Sequence, residues 1–284
     1  MTSVATRATS LTPPGWAGVA TCALGDVEPA GPWRPPFHAL LLATAGHGAV
    51  EVDFEHQTCR PGTLLWVRPG QALRIGANGL SASVVTFDTR LAGDHWPERP
   101  EAPGRWQLEG EDEDAVISEF AQLAVDCERH RAGPVAADLL RHQLAVLLLR
   151  IALLAPDEAP LGAEARTFAR FRRRLEAGHG HSRRVEDYAE EMGCSVRTLT
   201  RASLAVTGRT AKQVVDDRVA LEARRLLACT PMSVAEVGRH LGFPEPTNFG
   251  RFFHREVGMS PGQFRSDMTM NGRTTIPAQR RSAD

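Results

Sequence analysis

The feature that most constrains how this chain can fold is an internal repeat in its C-terminal part. Val185, Ala189 and Gly193 superpose on Val234, Gly238 and Gly242 at an offset of 49 residues; after one inserted residue, Arg201, Gly208, Thr210 and Gln213 superpose on Arg251, Gly258, Ser260 and Gln263 at an offset of 50. Self-similarity at such a period means one supersecondary unit used twice. In each copy a short helix carries a small residue, Ala189 or Gly238, where a neighbouring helix must come close, and it ends at a glycine able to take positive φ. A second helix is expected from about Ser195 to Thr207 in the first copy and from about Pro246 to Val257 in the second, stopped by Gly208 and Gly258. Ser233 with Glu236, Thr210 with Gln213 and Ser260 with Gln263 each show the Ser/Thr-x-x-Glu/Gln pattern of a capping box, and Pro261 suits a first helical position. This is helix-turn-helix spacing.

On the second helices Leu199, and Phe249 with Phe253, are expected to point inward. Arg197, Thr200, Arg201 and Leu204 are then left on the outer arc of the first, and Thr247, Asn248, Gly250, Arg251 and His254 on that of the second. Arg offers guanine a bidentate fork and Thr supplies a hydroxyl and a methyl, so these arcs suit base edges and phosphates. Between the units, "TAKQVVDDRVALEARRLLAC" has no Gly or Pro and predicts one helix of roughly 28 to 30 Å at ~1.5 Å per residue. That approaches the ~34 Å between successive major-groove faces on one side of B-DNA, so one chain is expected to present two reading helices to double-stranded DNA. Charge agrees: residues 1–165 carry 12 Arg against 21 acidic residues, residues 166–284 carry 21 basic against 13 acidic, and the net charge of −1 conceals the contrast. Only the second half is suited to a polyanion.

The N-terminal half reads differently. "FHALLLAT", "GAVEVDF", "GTLLWVRPGQALRI" and "LSASVVTF" are short, strand-like and punctuated by Gly and Pro, which predicts a small antiparallel barrel or sandwich. In "AVEVDF", alternation puts Val50, Val52 and Phe54 on one face and Glu51 and Asp53 on the other. Two helices are expected at 113–131 and 134–154, the second with Leu140, Leu144, Leu147 and Ile151 at helical spacing; either its own barrel or a helix from a second subunit covers that face. The domain plan is 1–155 for sensing and dimerisation, 156–165 as linker, 166–268 as the helix-turn-helix domain and 269–284 as a disordered tail. The first residues lack the apolar core of a signal peptide and read as a loose arm; no membrane span is present, which places the protein in the cytoplasm. The five cysteines are odd in number and without a C-x-x-C pair, and His179-Gly-His181 lacks further ligands, so neither a disulfide framework nor a metal site is expected.

The basic half resembles the AraC/XylS family of bacterial transcription regulators. Ala223, Leu226, Leu227, Ser233, Glu236, Val237, Gly238, Gly242, Phe243, Phe249, Arg251, Phe253, Gly258, Ser260, Pro261, Phe264 and Arg265 match its signature over about 100 residues. The resemblance implies base contacts by Arg197, Thr200 and Arg201 from the first unit and by Pro246, Thr247 and Arg251 from the second, and Asn248 joins them as a candidate DNA contact from its place on the same outer arc. The sequence departs from the pattern where Pro246 removes a side-chain donor and where Arg184 replaces a Ser/Thr cap. Through "PGTLLWVRPGQ" the first half is similar to the family's cupin-type sensor. Together these imply a two-domain α+β protein: a cupin-like antiparallel β-barrel with a helical dimerisation hairpin, and an all-α domain with two helix-turn-helix motifs joined by a long helix. The implied function is sequence-specific regulation of transcription controlled by a small organic effector. Trp33, Arg34, Phe37, His38, Trp66 and Arg68 are candidates to line its site, Leu140, Leu144, Leu147 and Ile151 to build a homodimer, and RNA polymerase is a further implied partner. The alternative is a metal-dependent cupin enzyme carrying a DNA-binding appendage; it needs a metal triad, and His38, His47 and His56 are not spaced as one, so no catalytic residue, metal or cofactor is expected.

Overall fold

A computed structural model describes residues 11–27, 31–76, 79–92, 104–154, 162–178 and 182–271. The expected linker at 156–165 falls largely outside these residues, as do His179 and His181 and most of the expected tail; residues 269–271 are helical. The N-terminal half forms two antiparallel sheets. Five strands, β1 (Val19–Ala23), β2 (His38–Ala45), β5 (Thr63–Val67), β7 (Ser81–Phe87) and β8 (Arg105–Gln107), lie in the order β1-β7-β2-β5-β8, and β3 (Gly48–Val52), β4 (Glu55–Cys59) and β6 (Leu73–Ile75) lie in the order β4-β3-β6.

The larger sheet is apolar on both faces because both are covered, which is why β2 and β5 read as continuous runs and do not alternate with polar residues. Leu40, Leu42, Leu64, Trp66 and Phe87 pack against two helices, α1 (Glu111–Arg129) and α2 (Pro134–Leu153). Ala39, Leu41, Leu65, Val67 and Val84 pack against Val50, Leu73 and Ile75 of the smaller sheet, with Phe37 and Leu11 in the same core. Leu11 is buried and the carbonyl of Thr12 accepts from the Thr86 hydroxyl at 2.7 Å, so this part of the expected loose arm is fixed.

Leu140, Leu144, Leu147 and Ile151 of α2, expected to reach a second subunit, are at most 1% exposed and belong to the core beneath the larger sheet. Covering the sheet's own apolar face takes precedence: an exposed Leu there would forgo about 1.5 to 3 kcal/mol of burial. The large apolar side chains that α2 leaves exposed are Val135, Leu139, Val146, Leu149 and Leu153.

A second departure lies at the β3–β4 hairpin. Val50 and Val52 face the inter-sheet core as alternation requires, but the strand ends at Val52, and Asp53 and Phe54 turn with φ of 53° and 69°. Phe54 leaves the sheet and meets Phe264 edge-on at 5.4 Å, across the boundary between the two halves of the chain.

The C-terminal half is helical: α3 (Ala163–Gly178), α4 (Val185–Glu191), α5 (Val196–Thr207), α6 (Ala211–Cys229), α7 (Val234–His240), α8 (Pro246–Val257) and α9 (Pro261–Asn271). They share one core, with Val215, Val219, Ala223 and Leu227 of α6 between Leu199 of α5 and Phe249 and Phe253 of α8. The capping boxes at Thr210 and Ser233 close in both directions, and at Ser260 the hydroxyl accepts from Gln263 N while Gln263 Oε1 accepts from Ser260 N. Gly193, Gly208, Gly242 and Gly258 all have positive φ, so the two copies of the repeat end their helices alike.

Candidate nucleic-acid interface

Each unit builds its outer helix by the same local rules. α5 starts at Ser195, whose hydroxyl accepts from Thr198 N at 3.1 Å, and stops at Gly208 in the left-handed region. α8 starts with Pro246 at its first position, without a side-chain cap, and stops at Gly258 with φ 83°. Gly238 of α7 lets α8 approach: a Cβ there would sit 3.1 Å from Phe249 Cβ. Buried Leu199, Ala202 and Ser203 anchor α5, and buried Phe249, Phe252 and Phe253 anchor α8.

This leaves Arg197 and Arg201 of α5 exposed with Thr200 half-buried beside them, and Pro246, Thr247, Asn248 and Arg251 of α8 exposed. Among the described residues, Arg201 Nε lies 3.6 Å from Glu164 in a surface pair whose side chains are 71% and 42% exposed. Such a pair contributes little and is readily exchanged for a phosphate. Both outer helices pack against α6, whose 19 residues span about 28 Å, and Thr200 of α5 and Asn248 and Arg251 of α8 line grooves that share Lys212 at its N-terminal end.

Three further cations, Arg183, Lys212 and Arg255, not picked out from the sequence, lie between the units. Arg183, Lys212, Asn248, Arg251 and Arg255 line a groove of about 510 Å³ together with Phe243 and Asp216. The Arg183 guanidinium lies 3.7 Å from the Phe243 ring centroid, and its Nη2 donates to the carbonyl of Gly242 at 2.8 Å. Asp216 is paired with Lys212 and lies 3.5 Å from Arg255. The available signal was a break in the repeat: Arg183 and Arg184 precede the first unit where Met232 and Ser233 precede the second.

The six candidate effector residues do not converge. Phe37 is buried between the two sheets, with Trp33 edge-on to it at 6.0 Å. His38 and Trp66 point to the helix-covered side of the larger sheet, where Trp66 Nε1 donates to His38 Nδ1 at 3.0 Å and the imidazole stacks on Phe87. Burial, reinforced by the charge of Arg68, pulls His38 from 6.5 down to about 4, so the ring is neutral and accepts this bond. Arg34 donates to Gly70 O and, at 2.7 Å, to Glu222 of α6.

Arg34 is thus part of a polar seam between the halves. Arg225 of α6 donates twice to the Asp53 carboxylate, at 2.8 and 2.7 Å, and Asp53 also accepts from Gln71 Nε2 and from Ala72 N. Burial pushes the Asp53 carboxyl up, but the hydrogen bonds and charge of Arg225, with the bonds from Ala72 and Gln71, outweigh it and leave the group below its ordinary value. Arg224 lies 4.5 Å over the Phe54 ring, and its Nε is buried with no acceptor among the described residues. Beside the seam a cleft of about 720 Å³ opens between the halves, bounded by Trp66, Arg68, Gln71 and Arg105 on one wall and by Arg209, Leu221 and Arg224 on the other.

A family model described as a helix-turn-helix domain matches residues 188–267. Similar proteins include the HTH-type transcriptional activator RhaR of Klebsiella pneumoniae, 32% identical over 147 residues, which are 51% of this chain and 52% of that one. The arabinose operon regulatory protein of Salmonella typhimurium is 26% identical over 241 residues, 81% of this chain and 83% of that one. Among solved structures, ToxT of Vibrio cholerae covers 89% of this chain and 98% of its own at 10% identity, with a TM-score of 0.47. The chain spans about half the length of the RhaR relative it matches. No helix among the described residues is long and apolar enough to cross a membrane.

Proposed function

By its helix-turn-helix half the chain belongs to the AraC/XylS family of transcription regulators, and from that premise we propose that it is a sequence-specific DNA-binding regulator whose two outer helices read successive turns of one operator. The observation that carries this reading is the duplicated unit: α5 and α8, each closed by a left-handed glycine, expose Arg and Thr side chains on two units that α6 joins. The two helices enter successive major-groove faces on one side of B-DNA, ~34 Å apart. Arg197, Thr200, Arg201, Thr247, Asn248 and Arg251 supply fork, hydroxyl and amide donors to base edges and phosphates, and Pro246 supplies apolar contact. Contact with RNA polymerase is the proposed step from binding to transcription. The relatives compared are regulators by name, which favours this reading over a cupin enzyme with a DNA-binding appendage.

Two further parts complete the proposal. The effector is a small organic molecule bearing an acceptor such as a carboxylate, and it sits in the cleft between the halves. The space between the sheets is filled by Phe37, Leu41, Leu65 and Leu73, whereas the cleft is bounded by Arg68 and by Arg224 with its buried, acceptor-free Nε. The homodimer forms through the outward stripe of α2. Val135, Leu139, His142, Val146, Leu149 and Leu153 recur at alternating spacings of four and three residues, the repeat of a two-helix seam, and the five apolar members are all exposed.

The test is binding of the full chain to duplexes it selects from a randomised library. Affinity should fall steeply with salt as phosphate counterions are released, and Arg201→Ala or Arg251→Ala should each cost about 1 to 3 kcal/mol. Full affinity in both variants would overturn the assignment of these faces.

A further inference from the structure

The two reading helices are joined by α6, but a helix fixes only what packs on it, and each unit contacts α6 through its own side chains. Reading successive grooves demands more: the angle between the units must be held to within the rotation of about one base pair, roughly 34 to 36°. One contact crosses directly from the first unit to the second without passing through α6. Arg183 stands two residues before Val185, where α4 of the first unit begins, and its side chain reaches the turn between α7 and α8 of the second. There the guanidinium lies on the Phe243 ring at 3.7 Å and donates to the carbonyl of Gly242 at 2.8 Å. Phe243 is itself fixed, 4% exposed and packed against Phe249 and Phe252 of α8. On the first unit's side, Lys212 at the start of α6 lies 3.5 Å from the Arg183 carbonyl.

We propose that Arg183 is a positioning residue, a clamp that sets the angle and spacing between the two reading helices by tying the segment before α4 to the Gly242–Phe243 turn. The proposal rests on the regulator reading above. Its chemistry is specific to arginine: a planar guanidinium can lie flat on a ring while an N–H in its plane points at a carbonyl, whereas a lysine ammonium offers charge without that plane. The obvious rival role is that of an ordinary phosphate contact, for which charge alone suffices.

The experiment uses the full chain and a duplex that it selects from a randomised library, with variants of that duplex carrying one or two extra base pairs between the two protected segments. The wild-type protein should lose at least about tenfold in affinity per inserted pair, because the second helix then faces the wrong bases. Arg183→Ala should bind the parent duplex about tenfold more weakly, lose less than about threefold on insertion, and keep the wild-type salt slope. Arg183→Lys should behave as the alanine variant does, and it guards against a folding defect, since its charge and length are nearly retained. Undiminished insertion penalties in both variants would overturn the clamp. So would wild-type behaviour of Arg183→Lys together with a salt slope reduced by about one in Arg183→Ala, the mark of a phosphate contact. Failure of the wild-type chain to enrich any sequence would overturn the regulator reading and the clamp with it, whereas enrichment with unchanged penalties overturns the clamp alone.

Discussion

Replacement of Asp53 by Ala should weaken the docking of the two halves by about 3 kcal/mol. The side chains of Arg225 and Asp53 are only 10% and 14% exposed, so the change leaves a guanidinium buried without its main counter-charge. Breaking one partner out of a buried pair costs about 3 to 5 kcal/mol. The lower end applies because Glu222 remains 3.5 Å from Arg225 Nη1 and neutralises part of the charge. Arg225→Met removes the charge as well, so the double variant should be less destabilised than the sum of the singles, by about 2 kcal/mol of coupling. Urea unfolding of the four proteins, followed by tryptophan fluorescence, measures this cycle. Additive losses would refute the view that this pair joins the halves. Acid provides a second reading of the same bond. The folded carboxyl is held below its ordinary 3.8, so its contribution is fully present above that value and is lost as the pH falls through the depressed one. Wild-type stability should therefore drop in that acid window, and the Asp53→Ala protein should show a smaller drop there.

Other consequences are simpler to check. Gly238→Val should lower stability by about 1 to 3 kcal/mol and shift the thermal midpoint down, because a Cβ at this position already meets Phe249 at 3.1 Å. Ser233→Ala should cost about 1 kcal/mol in the same assay through loss of the capping box that starts α7. On α2 the two faces should separate cleanly: Leu149→Glu, on the exposed stripe, should shift sedimentation toward the monomer with little change in melting. Leu144→Ala, in the core, should cost about 2 to 5 kcal/mol of stability.

What could be read from the sequence was what local chemistry decides. Gly208 and Gly258, the capping boxes and Pro246 at a helix start need only their near neighbours, and the exposed arcs of α5 and α8 follow once those starts are fixed. Decisions that depend on distant partners were not legible. Periodicity shows that α2 has a wide apolar girth, but only the sheet decides that Leu140, Leu144, Leu147 and Ile151 are the inner part of it. Alternation in "AVEVDF" carries Phe54 past the point where the chain turns, because a Phe with positive φ is costly by itself and is sustained here by Phe264 and Arg224. Arg183 carried no periodic signal, since its partner is a carbonyl 59 residues away.

The central claim is that two outer helices of one chain read two segments about one helical turn apart. Binding-site selection from a randomised library by the wild-type chain and by Arg201→Ala and Arg251→Ala tests it most directly. The wild type should enrich two short conserved segments with centres about 10 base pairs apart, with Arg201→Ala relaxing the sequence of one segment and Arg251→Ala that of the other. Loss of sequence preference in the same segment by both variants, or selection by both of the unaltered wild-type site, would contradict it.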